Sequence, residues 1–393
     1  MVQLPKLSRR ARWAVPAGAL VVTGGVLAGS LISVAQAAPG LPARTPAQLL
    51  VQVADSAAPP LTGTVVETAS FGLPRLPGNQ DPTSLGLPSL PHTADPTSIA
   101  SLLTGSHTIR VWYSGPRHFR LAVPEPLSET DVIADGNTAW LWESTANSVT
   151  KYTLPAHQSA PETQPTTAPL TPQQAAQQVL AAVGKTTTVS VDSNVTVAGQ
   201  PAYELVLAPK DSRSLVGQVQ IAIDGRNGVP LRLQVYARNA SSPAFQVGYT
   251  SIQFVTPAPA DLTFSPPPGA KVSQENLGRR MSSGPDRQPG DVATIGSGWL
   301  TVLDLPSAGL TAPSGSASAP GHGGSGDSAA VLNALLGSAT HVSGTWGSGR
   351  LLRTSLVSVL ITDSGRMFVG AVQPSVLYAA ASHAASGSPT QAP

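Results

Sequence analysis

The chain has 393 residues, of which 11% are charged and 5% aromatic, with 37 Gly, 38 Pro and a formal net charge of +2. This composition favours β-strands joined by many turns over a helical bundle and supplies no basic field for nucleic acid. There is no Cys, which excludes disulfides, thiolate metal sites, thiol catalysis and tethering through a lipoprotein Cys.

Lys6, Arg9, Arg10 and Arg12 precede the uncharged run Ala14–Val34, and Ala35-Gln36-Ala37 follows. A basic start, an apolar run and an A-x-A site describe a secretory signal, and the run is also long enough to span a membrane. Residues 1–37 are therefore expected to act as a cleaved signal peptide or as a retained single-pass anchor. In either case the body lies outside the cytoplasm, secreted or held at the outer face of the cytoplasmic membrane.

Thr45-Pro46 opens a helix, with Thr as cap and Pro in the first helical position, and Leu49, Leu50 and Val53 form its apolar stripe. Leu61–Ser70 is the next strand. From Phe71 to Pro96 the L-P repeats predict a long loop, either a lid or a Pro-rich surface insertion. From Ser106 to Trp142 four short strands meander. Ile109, Val111 and Tyr113 alternate with Thr108, Arg110 and Trp112, while Phe119, Leu121 and Val123 alternate with His118, Arg120 and Ala122. Gly115-Pro116 and Asp135-Gly136 supply the turns. Val149–Leu154 is a further strand, and Pro155–Pro172 a polar connection. A second helix is expected from Thr171 to its stop at Gly184.

Strands are then expected at Thr187–Val191, Asn194–Val197 and Ala202–Leu207. Further runs alternate through Val219, Ile221 and Ile223, through Leu231, Leu233 and Val235, and through Phe245, Val247 and Tyr249. Asp261–Val272 closes the unit. About ten or eleven strands, each with one apolar face, call for a large curved antiparallel sheet. Two helices are too few to cover such a face, so it is expected to hold a partly empty apolar cavity. The proposed wall is Ile109, Val111, Tyr113, Phe119, Leu121, Val123, Trp140, Trp142, Leu205, Leu207, Ile221, Ile223, Leu233 and Val235. Trp140 and Trp142, two apart on one strand, either line that cavity or fill core.

Three runs, A-D-G-N-T-A-W-L-W at Ala134–Trp142, Y-E-L-V-L-A-P-K at Tyr203–Lys210 and L-T-F-S-P-P-P-G-A-K-V at Leu262–Val272, occur in this order, with Trp112 and Pro116 upstream. Together they resemble the LolA/LolB/RseB lipoprotein-carrier-like superfamily, and most of all its exported actinobacterial-type members, over residues 45–272. The resemblance implies an unclosed β-barrel of about eleven strands, lidded by helices, whose cavity receives acyl chains. Carriers of the LolA type place an Arg immediately before the Pro of the first hairpin, as a lid latch. Gly115 stands there, which puts that hand-over mechanism in doubt.

Residues 273–289 are expected to be a linker and 290–382 a small α+β domain. This domain carries a Gly/Ser-rich insertion at 307–328, a helix at Ala329–Leu336, a strand at Leu351–Ile361, a turn at Asp363-Ser364-Gly365 and a terminal helix from Pro374. Residues 383–393 read as a disordered tail. His322-Gly323-Gly324-Ser325-Gly326 is linker, not a nucleophile elbow. Asp135 reads as a turn residue, and Glu125, Glu129 and Asp131 as solvated loop charges, not a glycosidase pair. Arg110, Arg117 and Arg120 are either headgroup contacts at a mouth or the wet face of a strand. No His pairs at metal-ligand spacing, so neither metal nor cofactor is expected. The expectation is a mostly β, non-enzymatic carrier of lipid or lipoprotein acyl chains in the cell envelope. The alternative is an RseB-like sensor that contacts a membrane protein partner such as an anti-sigma factor.

Overall fold

The computed structural model describes residues 40–72, 104–154, 177, 180–276, 293–307 and 339–385. The chain enters through helix α1, Pro46–Asp55, closed at its start by a capping box. The Gln48 N–H donates to Thr45 Oγ1 at 3.3 Å and the Thr45 N–H donates to Gln48 Oε1 at 2.8 Å. Its apolar stripe then has one place to go. Leu49 is fully buried against Tyr203, Leu205 and Ile223, with Leu50 and Val53 beside it.

Twelve strands form one sheet: β1 Leu61–Ser70, β2 Thr104–Gly115, β3 His118–Pro124, β4 Glu129–Asp135, β5 Thr138–Glu143, β6 Ser148–Thr153, β7 Thr187–Val197, β8 Gln200–Pro209, β9 Val216–Asp224, β10 Pro230–Ala237, β11 Pro243–Gln253 and β12 Lys271–Asn276. β1 lies inside the sheet. β2 to β6 step outward from one side of it, and β7 to β11 step inward from the far edge to its other side, giving the order β12-β6-β5-β4-β3-β2-β1-β11-β10-β9-β8-β7. Every pairing is antiparallel except β12 with β6. The strand beyond the expected count is β12, which returns parallel at the edge. Bulges between Thr64 and Val65, Tyr113 and Gly115, Val191 and Asn194, and Pro230 and Arg232 bend the strands. The sheet curls until edge strand β7 touches β11, yet β7 and β12 do not pair, so the barrel stays open. The bulge at Val191/Asn194 also explains why β7, one continuous strand, reads in sequence as two.

Gly63 marks one close approach inside this sheet. A Cβ there would lie 2.6 Å from the Ser251 carbonyl oxygen and 2.9 Å from the Tyr249 ring, so only Gly fits between β11 and β2 at that point.

Between β11 and β12 the chain crosses the sheet as a strap that includes the short helix α2, Pro259–Leu262. A second sheet follows: β13 Ala293–Ile295, β14 Val302–Pro306, β15 Thr340–Gly344, β16 Gly347–Arg353, β17 Ser358–Thr362 and β18 Arg366–Gly370, in the order β13-β14-β18-β17-β16-β15. Helix α3, Pro374–Ala385, buries Leu377, Ala380 and Ala381 against Val302, Leu360 and Phe368. The expected single strand Leu351–Ile361 is corrected to β16 and β17 with a tight turn between them. Thr354 Oγ1 accepts from the Val357 N–H at 2.9 Å, and the Thr354 N–H donates to the Val357 carbonyl at 2.9 Å. This side-chain capture by Thr offers the backbone an alternative to the ladder that apolar patterning does not display.

The two sheets are tied together. The Leu215 N–H donates to the Ala371 carbonyl at 2.9 Å, Gln373 N–H to Arg213 O at 2.8 Å and Ser355 N–H to Phe71 O at 2.8 Å. Val216, Ala244 and Leu356 form a shared core with Phe71, Phe245, Trp299 and Val357. The expected signal segment at 1–37, the L-P loop from 73 on, the connection at 155–172, the linker from 277 on, the insertion from 308 on, the helix at 329–336 and the tail from 386 lie outside the described residues. Residues 273–276 of the expected linker are corrected to part of β12, and residues 383–385 of the expected disordered tail to the end of α3.

Candidate functional site

Cross-strand register decides which side chains share a face. Leu207 lies opposite Val219, Leu205 opposite Ile221, and Tyr203 opposite Ile223. Ile221 and Val219 lie opposite Leu233 and Val235, which lie opposite Val247 and Phe245. Val247 and Tyr249 face Glu67 and Val65 on β1, and Val65, Gly63 and Leu61 face Ile109, Val111 and Tyr113. Val111 and Tyr113 then meet Leu121 and Phe119, which meet Val132 and Ala134. One apolar face therefore runs across eight strands from β8 through β9, β10, β11, β1, β2 and β3 to β4.

All the proposed wall residues except Trp140 and Trp142 stand on this face. Trp140 pairs with Ile133 and Trp142 with Asp131, on the side that carries Arg120. The position expected of them is taken by Leu141, opposite Val132. The stretch A-W-L-W is apolar at both parities, so alternation alone does not choose a side. The tryptophans pack instead under the strap, with ring centroids 5.6 and 6.5 Å from Phe264.

The shared face is unevenly filled. Leu205, Ile221 and Ile223 are covered by α1, and Val235 joins the core between the sheets. Ile109, Val111 and Val123 form the central core with Leu61, Val65 and Ile252, and Tyr113 and Leu121 pack at its margin. Phe119, Leu207, Leu233, Val132 and Leu141 are half-buried and belong to none of these cores. Burial pushes the Tyr113 and Tyr249 hydroxyls up to about 12, the mark of a poorly hydrated surface. Two hollows stand out among the described residues, and neither is lined by the proposed wall. One, of about 370 Å³, lies between Pro46, Leu180, Gly184, Thr187, Val189 and Lys210. The other, of about 310 Å³, is polar and lies beside Tyr236 and Arg238.

Two charged features also emerge. On the apolar face Glu67 faces His107, with Glu67 Oε2 3.6 Å from His107 Nε2 and side chains 8% and 3% exposed. Sequence reading named Leu61–Ser70 only as a strand. Glu67 shares the parity of Leu61, Val65 and Ala69, but the residue it faces is set by the register between β1 and β2, which the sequence does not display. On the opposite face Asp131 is fully buried, which corrects its reading as a solvated loop charge. It sits on β4, where Arg120 Nη2 donates to its Oδ2 and also lies 3.4 Å from Glu129 Oε1. The Arg120 guanidinium stands 5.3 Å from the Trp112 ring centroid. Burial raises the Asp131 carboxyl to about 6 despite the opposing pull of Arg120. Arg117 donates to Asn137 Oδ1 in the neighbouring turn, and Arg110 is exposed. His118 Nδ1 lies 3.1 Å from Asp135 at the exposed hairpin end. Among the described residues no group of three or more His, Asp or Glu gathers to hold a metal, and no helix is long and apolar enough to cross a membrane.

No protein-family model matches the chain, and no curated protein matches it in sequence. Solved structures resemble it in chain trace, at low sequence identity. The Pseudomonas aeruginosa MucA/MucB complex aligns at 13% identity over 85% of this chain and 96% of that one, with a TM-score of 0.41. An uncharacterized conserved protein from Thermus thermophilus aligns at 12% identity over 58% and 98%, with a TM-score of 0.31. A LolA superfamily protein from Nitrosomonas europaea aligns at 10% identity over 56% and 99%, with a TM-score of 0.21. The fold assignment rests instead on strand order and register. An unclosed, almost wholly antiparallel sheet with a helix against it is the architecture that the LolA/LolB/RseB resemblance implies for residues 45–272; the smaller second sheet lies beyond that resemblance.

Proposed function

We propose that this chain is an exported, non-enzymatic protein of the cell envelope that holds the acyl chains of a lipid or lipoprotein against the open face of its large sheet. The observation that carries the reading is the continuous apolar face across β8 to β4, extended by Leu141 of β5, on which Phe119, Val132, Leu141, Leu207 and Leu233 are left half-buried outside the cores. Apolar surface of that kind binds by area. Each methylene removed from water contributes about 0.8 kcal/mol, so long chains supply affinity without polar specificity. The basic start, apolar run and A-x-A site of residues 1–37 support export, and no cofactor is needed for holding hydrocarbon.

The test is a lipid census. Native mass spectrometry of protein purified from its own membrane should find bound lipid, and the stripped protein should take up a fluorescent fatty acid. Recovery without lipid together with no uptake sinks the reading. Phe119→Glu should weaken uptake at least tenfold, by about 1.4 kcal/mol or more, while the half-buried site keeps the protein folded. Unfolding by this substitution would mean that the face is packed core.

A second reading, an envelope-sensing regulator that contacts a membrane protein, is favoured by the second sheet being tied to the first through backbone hydrogen bonds and a shared core. Ligand on one sheet would then bias the other. Capture of an anti-sigma factor or transporter subunit whose recovery changes with added lipid would support it.

A further inference from the structure

We infer that the Glu67–His107 pair is a polar anchor set into the apolar face, and that the acyl-bearing ligand it takes carries a hydroxyl group. The inference rests on the acyl-binding reading above and names the class of ligand. Glu67 stands near the middle of β1, with His107 opposite on β2 and Val247 opposite on β11. Val65, of the central core, and Ala69 flank it along its own strand, so its surroundings on this face are apolar on both sides. Glu67 is 6% exposed. Its Oε2 reaches only 3.6 Å from His107 Nε2, beyond hydrogen-bond range, and its Oε1 has no hydrogen-bond partner among the described residues.

A buried carboxylate oxygen without a donor is costly, and native proteins seldom leave one unless something else supplies the bond. Burial accordingly pushes the Glu67 carboxyl up, with His107 pulling the other way. What would satisfy Oε1 is a donor. A phosphate or carboxylate headgroup brings only acceptors and a like charge. An ammonium must leave water with its charge, and an amide N–H brings a carbonyl that would itself go unpaired. A hydroxyl donates one hydrogen bond and adds least to the polar load of the face. Such a hydroxyl comes either from a hydroxylated acyl chain or from the free glycerol position of a diacylglycerol.

The experiment uses the full chain, stripped of lipid, and displacement of a fluorescent fatty acid by two matched pairs. These are a β-hydroxy fatty acid against the unsubstituted acid of equal length, and a diacylglycerol against its O-methyl ether. At least one hydroxylated member should bind about tenfold tighter than its match. The pair that shows the preference identifies the source of the hydroxyl. Glu67→Leu should erase the preference without weakening the unhydroxylated member, and Glu67→Gln, which keeps an acceptor oxygen, should retain part of it. Should Glu67→Leu fail to fold, the wild-type preference and its reduction in Glu67→Gln decide. Acyl binding without preference in either pair, or a preference that survives Glu67→Leu, overturns the anchor and leaves the acyl-binding reading standing. No binding of any acyl probe overturns both.

Discussion

Asp131 shows how a single position departs from its sequence neighbourhood. In S-E-T-D-V-I-A-D it looks like one more charge before a turn, but register carries it under Trp142 and Ala122, out of water. Burial is the largest influence on its carboxyl and lifts it to about 6, from an ordinary value of 3.8. The folded state therefore holds a proton more tightly than the unfolded state. The contribution of this group to stability is present in full below about pH 4 and is lost as pH rises through about 6. Asp131→Asn has no such titration. The melting temperature of the variant minus that of the wild type should rise between about pH 4 and pH 7, measured in parallel melts. A difference that stays flat, or falls, would show that Arg120 compensates the buried charge fully.

Among the elements, the strap from β11 to β12 organises the face opposite the apolar one. It has little regular structure, only the single turn of α2, and three consecutive prolines at Pro266, Pro267 and Pro268 keep the chain extended and deny it ladder hydrogen bonds. Its hold on the sheet is Phe264, seated between Trp140 and Trp142, followed by the parallel pairing of β12 with β6. Phe264→Ala should cost about 2 kcal/mol, below the range for a fully buried Phe because the ring is half-buried. It should also shift tryptophan emission to the red as Trp140 and Trp142 gain water. Unchanged emission would mean that β12 pairing alone holds the strap. The hairpin at Asp135-Gly136 was legible in sequence for a simple reason. Gly136 has φ +60°, a conformation that its neighbours in the chain would adopt only at a cost.

At the scale of the whole molecule, the second sheet shares a core with the first. Leu356, in the turn between β16 and β17, is 6% exposed and packs with Val216 and Ala244 of the large sheet. Leu356→Ala should cost about 2–4 kcal/mol. It should also split one calorimetric transition into two, because the lost volume lies at the junction and not inside either sheet. A single transition at unchanged temperature would remove the junction from the account of stability. The same junction matters for the proposed sensing role, since Phe71, Phe245 and Trp299, with the backbone hydrogen bonds beside them, join the large sheet to the second one.

Local chemistry determined what sequence alone made readable. The capping box at Thr45, the period-two runs of β2, β3, β9 and β10, the Gly turns and the mostly β class all depend on neighbours within a few residues, and sequence displays those directly. The alternation also placed Ile109 through Val123 and Leu205 through Val235 on one face, because period two fixes parity within a strand. Tertiary structure alone decided the parity of Trp140 and Trp142, the burial of Asp131 and the pairing of Glu67 with His107. Each of these depends on which residue stands opposite on another strand. That choice is set by sheet order and bulges, which pair β1 with β11 across almost the whole length of the large sheet's sequence.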